Sequence, residues 1–345
     1  ERLDQLCQSI LNRKPVEQHV SFSIQSNFVS VSNDLLRVFS KHSISVGVSL
    51  DPAPAVGVGM RETKNRVLSN LKRARSHGGF RVGVLSTVNS GNFDRFTEFM
   101  DWLSNEHGFL RFKANAAYAV GEGVSMQDIS PQQLNRSHQD VLKHMIHNDF
   151  KIIEVNIGRA IVRYFENHEN NIPRKQSLCC DKECGAGSRV VSLTHDGKLL
   201  PCGRFTWKEE KHLLGTVDHS GINYSSEKVQ ALLKSNSHNW IDCESCDAKN
   251  ICSHGCLAFI DRSKSKKNVE CESTKYLFNL ISENAELIRP YISTIRSILR
   301  EKPVINQYTS QLEEENISSN SFHALSAISE QEAKNLSNLF EEISQ

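Results

Sequence analysis

Nine of the ten cysteines lie between Cys179 and Cys271, and only Cys7 falls outside that stretch. Cys179 and Cys180 come first. Cys184 follows, then Gly197 after twelve residues and Cys202 after four more. A gap precedes Cys243-x2-Cys246-x5-Cys252-x3-Cys256, and Cys271 comes fourteen residues later. Short x2 and x3 loops can bring thiolates onto one metal without spanning a helix or strand. Seven to nine thiolates exceed one four-coordinate site, so two sites are expected. Thiolate-only ligation suits Zn²⁺ or iron–sulfur clusters, and spacing alone leaves both open. Secreted disulfide scaffolds are short and cysteine-rich throughout, whereas here a long cysteine-poor stretch precedes a dense one. That distribution points to metal ligation in a reducing compartment, hence a cytoplasmic protein.

The rest of the chain must supply a frame for this chemistry. Its 345 residues suggest about two domains. Lys and Arg number 41 and Asp and Glu 40, a balance that gives no bulk electrostatic reason to bind nucleic acid or an anionic membrane. No run approaches the ~18 apolar residues of a membrane span, and the start, ERLDQLCQSI, lacks signal-peptide features and an initiator Met. Segments 19–24, 43–50, 80–88 and 109–117 read as strands, rich in Val, Ile and Phe. Between them, 33–42, 62–78 and 93–108 carry apolar residues at helical spacing. Strands alternating with helices imply a parallel α/β sheet. Two more helical stretches fill 132–166, and helical periodicity returns over 272–299. From about residue 301 the chain is rich in Ser, Glu and Asn, with an amphipathic stretch near its end, and reads as an appendage.

Taken in order, C-x12-G-x4-C, a gap, C-x2-C-x5-C-x3-C, a gap and a last Cys resemble the SPASM domain of radical S-adenosylmethionine (SAM) peptide-modifying enzymes. PCGRF (201–205) and LLGTV (213–217) fall in register with it. FSIQSN (22–27) resembles that family's strand ending in Gln-Thr-Asn-Gly, and VGVSLDP (46–52) its Ser-x-Asp-Gly-Pro strand. The resemblance implies an α/β fold: a partial (β/α)6 radical SAM barrel, a small Cys-rich SPASM domain and a helical C-terminal tail. The expected boundaries are 1–150 for the barrel, 151–178 for a helical connector, 179–275 for the cluster domain and 276–345 for the extension. It also implies two auxiliary [4Fe–4S] clusters. Cys184, Cys202 and Cys256, with Cys179 or Cys180, would hold the first, and Cys243, Cys246, Cys252 and Cys271 the second. Gln25, Asn27, Ser49, Asp51 and Arg61 become candidate SAM contacts, at the strand ends where α/β sheets bind ligands. The implied activity is modification or cross-linking of a ribosomally made precursor peptide through a 5′-deoxyadenosyl radical, with an electron donor as a possible further partner.

Three departures qualify the resemblance. The family's CxxxCxxC, which holds the SAM-cleaving third cluster, is absent, as is its Gly-Gly-Glu strand end. The first two βα units are therefore read as missing, and SAM with the third cluster is expected only where that part is supplied. Gly203 stands where sulfatase maturases place a proton-accepting Asp, which disfavours formylglycine formation by that route. Phe28 and Pro52 replace glycines of the family motifs, altering local backbone freedom. Two other readings remain: a non-catalytic iron–sulfur scaffold or peptide-binding protein that has lost the SAM cluster, and a zinc protein. Lone Cys7 is expected to be a buried helix residue.

Overall fold

The computed structural model describes residues 1–52, 58–117, 129–170, 184–187, 190–205, 210–218, 221–225, 227–228, 231, 243, 245–252, 255–262 and 270–300. They form two compact units, one of Glu1–Val162 with the stretch from Asn279, the other of Arg163–Phe278.

In the first unit five parallel strands run side by side in chain order: β1 (Ser23–Ser26), β2 (Ser45–Ser49), β3 (Val82–Val88), β4 (Arg111–Ala116) and β5 (Ile153–Glu154). Helices α1 (Arg2–Arg13), α2 (Asn33–Lys41), α3 (Val58–His77), α4 (Phe96–Asp101), α5 (Pro131–His147) and α6 (Val155–Arg163) accompany them. The order is that of successive βα units, in which each crossover helix returns the chain to the same edge. Start signals are plain. Ser32 Oγ accepts the Leu35 N–H at the head of α2, and Ser130 and Gln133 form a reciprocal capping box at α5 with Pro131 in its first turn.

Register shows what each face of the sheet is for. Val46, Val48, Val84, Val88 and Phe112 are buried, as are Leu36 and Phe39 of α2, Phe96, Phe99 and Met100 of α4, and Leu142 and Met145 of α5. Phe112 stacks on Phe96 at 6.1 Å and meets Phe99 edge-on at 5.8 Å. The alternate positions, Leu85 apart, are small or polar and pair across strands: Gln25 with Gly47, Gly47 with Gly83, Ser49 with Leu85, Leu85 with Lys113, and Thr87 with Asn115. Parallel partners share a face, so these residues make a second, polar surface that the helices do not cover. A doubly covered parallel strand reads as continuous hydrophobic sequence; the Ser-Val-Gly-Val-Ser alternation of β2 does not.

The C-terminal stretch returns to this sheet. After α8 (Cys271–Glu283, the seventh helix, α7, being Leu257–Arg262 of the other unit) come α9 (Ala285–Ile288) and α10 (Ile292–Arg300). Arg111 Nη1 donates to the carbonyls of Ile298 (2.5 Å) and Leu299 (3.2 Å), meeting acceptors left over at the end of α10. Gly158 makes room for Ile153 of β5, whose Cγ2 a Cβ there would meet at 2.6 Å, while Leu299 of α10 lies beside it at ordinary contact distance.

His138 on α5 yields a prediction. Its Nδ1 is buried with no hydrogen-bond partner, and burial holds its pKa down at about 4, against an ordinary 6.5. The unfolded chain binds a proton that the folded ring refuses. Stability should therefore fall as pH drops from about 6.5 to about 4, by at most about 3 kcal/mol. His138→Leu should flatten that part of a urea-denaturation pH profile, and an unchanged slope in the variant would refute the assignment.

Among the described residues of the second unit, the apolar clusters around its sheet and its cysteines are small. A four-stranded antiparallel sheet joins β6 (Ser192–Leu193), β7 (Lys198–Leu200), β8 (Gly215–Asp218) and β9 (Gly221–Tyr224). Leu199 and Leu214 form one small cluster, and Ala186, Phe205, Leu257 and Ala258 another.

The elements agree with the sequence pattern in most places and differ in three. The stretch 93–108 is not one α-helix; after α4 it continues as a π-helical segment, Trp102–Glu106. β1 lies later than its apolar run, because Gln25 and Ser26 complete the ladder on the open face. β5 interrupts a stretch read as purely helical.

Candidate functional site

The carboxyl ends of β1 and β2 present Gln25, Asn27, Ser49 and Asp51, all four exposed. Gln25 and Ser49 lie on the polar face, one rung apart. Ser49 closes β2, so its hydroxyl stands where the strand's backbone gives way to a loop. Asp51 bridges strand ends: its Oδ1 accepts the Thr87 N–H of β3 at 2.7 Å. Burial pushes the Asp51 pKa up, and that N–H pulls it back. Beneath it, Ser86 Oγ donates to Leu50 O at 2.6 Å, a second tie between β2 and β3. Arg61 lies in the first turns of α3, and its side chain is outside the described residues.

The turn after β1 carries backbone strain. Phe28 adopts a left-handed φ of 57° and is 1% exposed. Glycine enters that region freely, whereas a bulky residue pays about 1–2 kcal/mol for it. Pro52 is buried.

At the other edge, Glu154 is 4% exposed. Its Oε1 accepts the Ala114 N–H at 2.9 Å and its Oε2 the Ile157 N–H at 2.7 Å. Asn156 Nδ2 donates to Ala114 O at 2.6 Å. Two side chains thus stand in for the strand that would otherwise pair with β4 beyond Phe112, and the same carboxylate caps α6. Burial pushes the Glu154 pKa up, and N–H groups of Ala114, Ile157 and Asn156, with the Lys113 charge, oppose it. Nothing in the spacing of residues 153–157 announced this role.

In the second unit, Cys184, Cys202 and Cys256 pack against one cluster of Ala186, Phe205, Leu257 and Ala258. Cys202 follows β7, and Cys256 immediately precedes α7, its carbonyl accepting the N–H groups of Phe259 and Ile260. Burial pushes the Cys202 thiol up, with the Cys184 and Cys256 sulfurs adding to the effect, while the N–H groups of Arg204 and Phe205 favour its thiolate. Arg204 lies over the Phe259 ring at 5.1 Å, linking the two cysteine-bearing loops. Cys243 and Cys246 share a turn closed by Cys246 N–H to Cys243 O at 3.3 Å. The Cys252 N–H bonds Ala248 O at 2.9 Å, and Arg163 Nη1 reaches Ile251 O at 3.2 Å. Cys271 opens α8 and is exposed.

None of the eight described cysteines is in a disulfide, and Cys7 is buried on α1. Cys179 and Cys180 lie outside the described residues. Among the described residues no three His, Cys, Asp or Glu side chains stand at metal-binding geometry. The donor set nevertheless fits a thiophilic group: three cysteines pack against one apolar cluster, and the N–H groups of Arg204 and Phe205 favour the Cys202 thiolate. No helix among the described residues is long and apolar enough to cross a membrane.

Gly197 of the cysteine motif has a structural explanation. It sits at φ 77°, in the turn between β6 and β7, and a Cβ there would collide with Val217 O of β8. The side chain that sequence reasoning missed on the first unit is Asn70. The available signal was a polar residue among Val67, Leu71 and Ala74 on the apolar stripe of α3.

No family model matches the chain. An uncharacterized protein of Archaeoglobus fulgidus is 26% identical over 266 residues, 74% of this chain and 61% of that protein. The chain thus spans less than two thirds of that relative's length. A cysteine-type anaerobic sulfatase-maturating enzyme of Clostridium novyi (strain NT) is 22% identical over 284 residues, 75% of this chain and 71% of that enzyme. Among solved structures, native anSMEcpe with bound AdoMet superposes with a TM-score of 0.63 at 13% identity, covering 85% of this chain and 90% of that one. Native anSMEcpe with bound AdoMet and Kp18Cys peptide gives 0.60 at 14% identity, covering 84% and 89%. The chain shares its α/β fold with these anSMEcpe structures.

Proposed function

We propose that this chain belongs to a radical SAM maturase that modifies or cross-links residues of a ribosomally made peptide. The observation that carries the proposal is a conjunction. An open polar sheet face ending in Gln25, Asn27, Ser49 and Asp51 belongs to the same chain as a unit where Cys184, Cys202 and Cys256 line one cluster. The peptide complex among the similar structures supports a peptide substrate.

In this reading the strand ends of β1 and β2 receive SAM. Ser49 supplies a hydroxyl and Arg61 a two-pronged donor for its carboxylate. Glu154 and Asn156 hold β4 in place, so that Lys113 and Asn115 stay on the polar face. Cys184, Cys202 and Cys256, with Cys179 or Cys180, hold one auxiliary cluster; Cys243, Cys246, Cys252 and Cys271 hold the other. When bound, such clusters supply one-electron redox chemistry. Gly203 offers no side chain to take a proton beside Cys202, which separates this chain from formylglycine formation and favours peptide cross-linking or a related modification.

Anaerobic reconstitution tests the reading. Iron and sulfide should each reach about eight per chain, with broad visible absorption. Stoichiometric zinc without iron would instead identify a zinc protein.

A further inference from the structure

The strained turn after β1 is held from a distance by one buried amide. Asn70 of α3 is 8% exposed, and its Nδ2 donates to Phe28 O at 3.0 Å and Val29 O at 3.1 Å. Its Oδ1 accepts from Arg73 Nη1 at 2.8 Å. Arg73 reaches further along the same turn, to Val31 O at 3.2 Å and, through Nη2, to Asn33 Oδ1 at 2.6 Å. The turn closes from inside as well: Ser26 Oγ accepts the Phe28 N–H at 3.0 Å and Asn27 Oδ1 the Val29 N–H at 3.3 Å. A buried aromatic residue persists at positive φ only where its surroundings over-determine it. Here the carbonyl of the strained residue and that of its successor are gripped by a single side chain.

We propose that Asn70 is a positioning residue for the strand-end site. It fixes the left-handed Phe28 turn, and with it the presentation of Gln25 and Asn27, to the helix that carries Arg61. The proposal rests on the reading above, in which these strand ends hold SAM. Asn70 lies nine residues beyond Arg61, about 13 Å along α3, so one rigid helix places both in a common frame. The turn also fixes what Asn27 can offer. With Oδ1 committed to Val29, its Nδ2 hydrogens are the donors it can turn to a ligand, suiting an acceptor such as a carboxylate oxygen or a ring nitrogen.

The test uses the full chain with Asn70→Ser and, as a milder second variant, Arg73→Lys. Amide hydrogen exchange reports the turn, and calorimetric titration with SAM, in protein supplied with the segment that bears the SAM-cleaving cluster, reports the site. Asn70→Ser should speed exchange at residues 28–31 by about tenfold and weaken SAM binding by a similar factor, with β3 exchange unchanged. Arg73→Lys should move both readouts in the same direction by a smaller factor. Unchanged turn exchange in both variants, or equal loss of protection throughout the sheet, overturns the proposal. So does a freed turn with SAM affinity intact. A wild-type chain that binds no SAM overturns the strand-end SAM reading instead, and faster exchange confined to 28–31 in Asn70→Ser then upholds the turn-holding role alone.

Discussion

Gly197→Ala should lower the stability of the cysteine-bearing unit by about 2–4 kcal/mol, the largest effect expected of any single methyl added to this chain. Two penalties combine. The backbone at Gly197 is left-handed at φ 77°, and an added Cβ would press on the carbonyl oxygen of Val217. That oxygen belongs to the ladder of β8 and cannot swing aside. The turn cannot retreat either. Gly197 O accepts the Val217 N–H at 2.7 Å, and Thr194 Oγ1 accepts the Lys198 N–H at 3.0 Å. Gly47→Ala provides the control. Its Cβ would meet Leu85 Cδ1, the far end of a flexible side chain on an open face, so less than about 1.5 kcal/mol is expected. Urea denaturation of both variants checks the contrast; Gly197→Ala within about 0.5 kcal/mol of wild type would contradict it.

Cys256→Ala should cut the iron of reconstituted protein from about eight to about four per chain. Cys184, Cys202 and Cys256 face one cluster of four apolar residues, too few to hold three chain segments together by burial alone. Metal bound there contributes folding free energy directly, so loss of one ligand should be felt well beyond one sulfur. In the metal-free chain the same change removes one half-buried thiol and should shift melting little. The expected signature is therefore a large drop in the melting temperature of the iron-loaded protein beside a small drop in the metal-free one. Full iron content with wild-type resistance to a chelator would remove Cys256 from the ligand set.

The sheet was legible where its two faces differ in chemistry. Ser45, Gly47 and Ser49 alternating with Val46, Val48 and Leu50 announce one covered face and one open face, which is what the register shows. The cysteine-bearing unit stood out because cysteine is rare and its spacing unusual, so few residues carried much information. β5 was not legible: two residues of ladder leave no period, and the rest of its pairing is done by the side chains of Glu154 and Asn156. The π-helical turn at Trp102–Glu106 was hidden for a related reason, since its apolar residues keep a near-helical spacing. The helical periodicity of 272–299 is realised as three α-helices, with breaks after Glu283 and near Pro290, where the ring cannot continue the ladder. Phe28 is the reverse case. Its sequence position suggests relief from a glycine's conformation, yet the backbone keeps that conformation and Asn70 supplies the hold.

The seating of α10 on Arg111 and Gly158 has a consequence for the order of events during synthesis. Residues 163–278 are inserted, in chain order, within a unit whose last helix is translated only afterwards. At ribosomal rates of about 5–20 residues per second, α10 emerges roughly seven to twenty-seven seconds after α6. Until then the guanidinium of Arg111 lacks the carbonyls of Ile298 and Leu299, and the small-residue notch at Gly158 lacks Leu299. The nascent sheet therefore waits, incomplete, while the cysteine-bearing segment is made. Folding of that segment and final closure of the sheet become steps on one timescale.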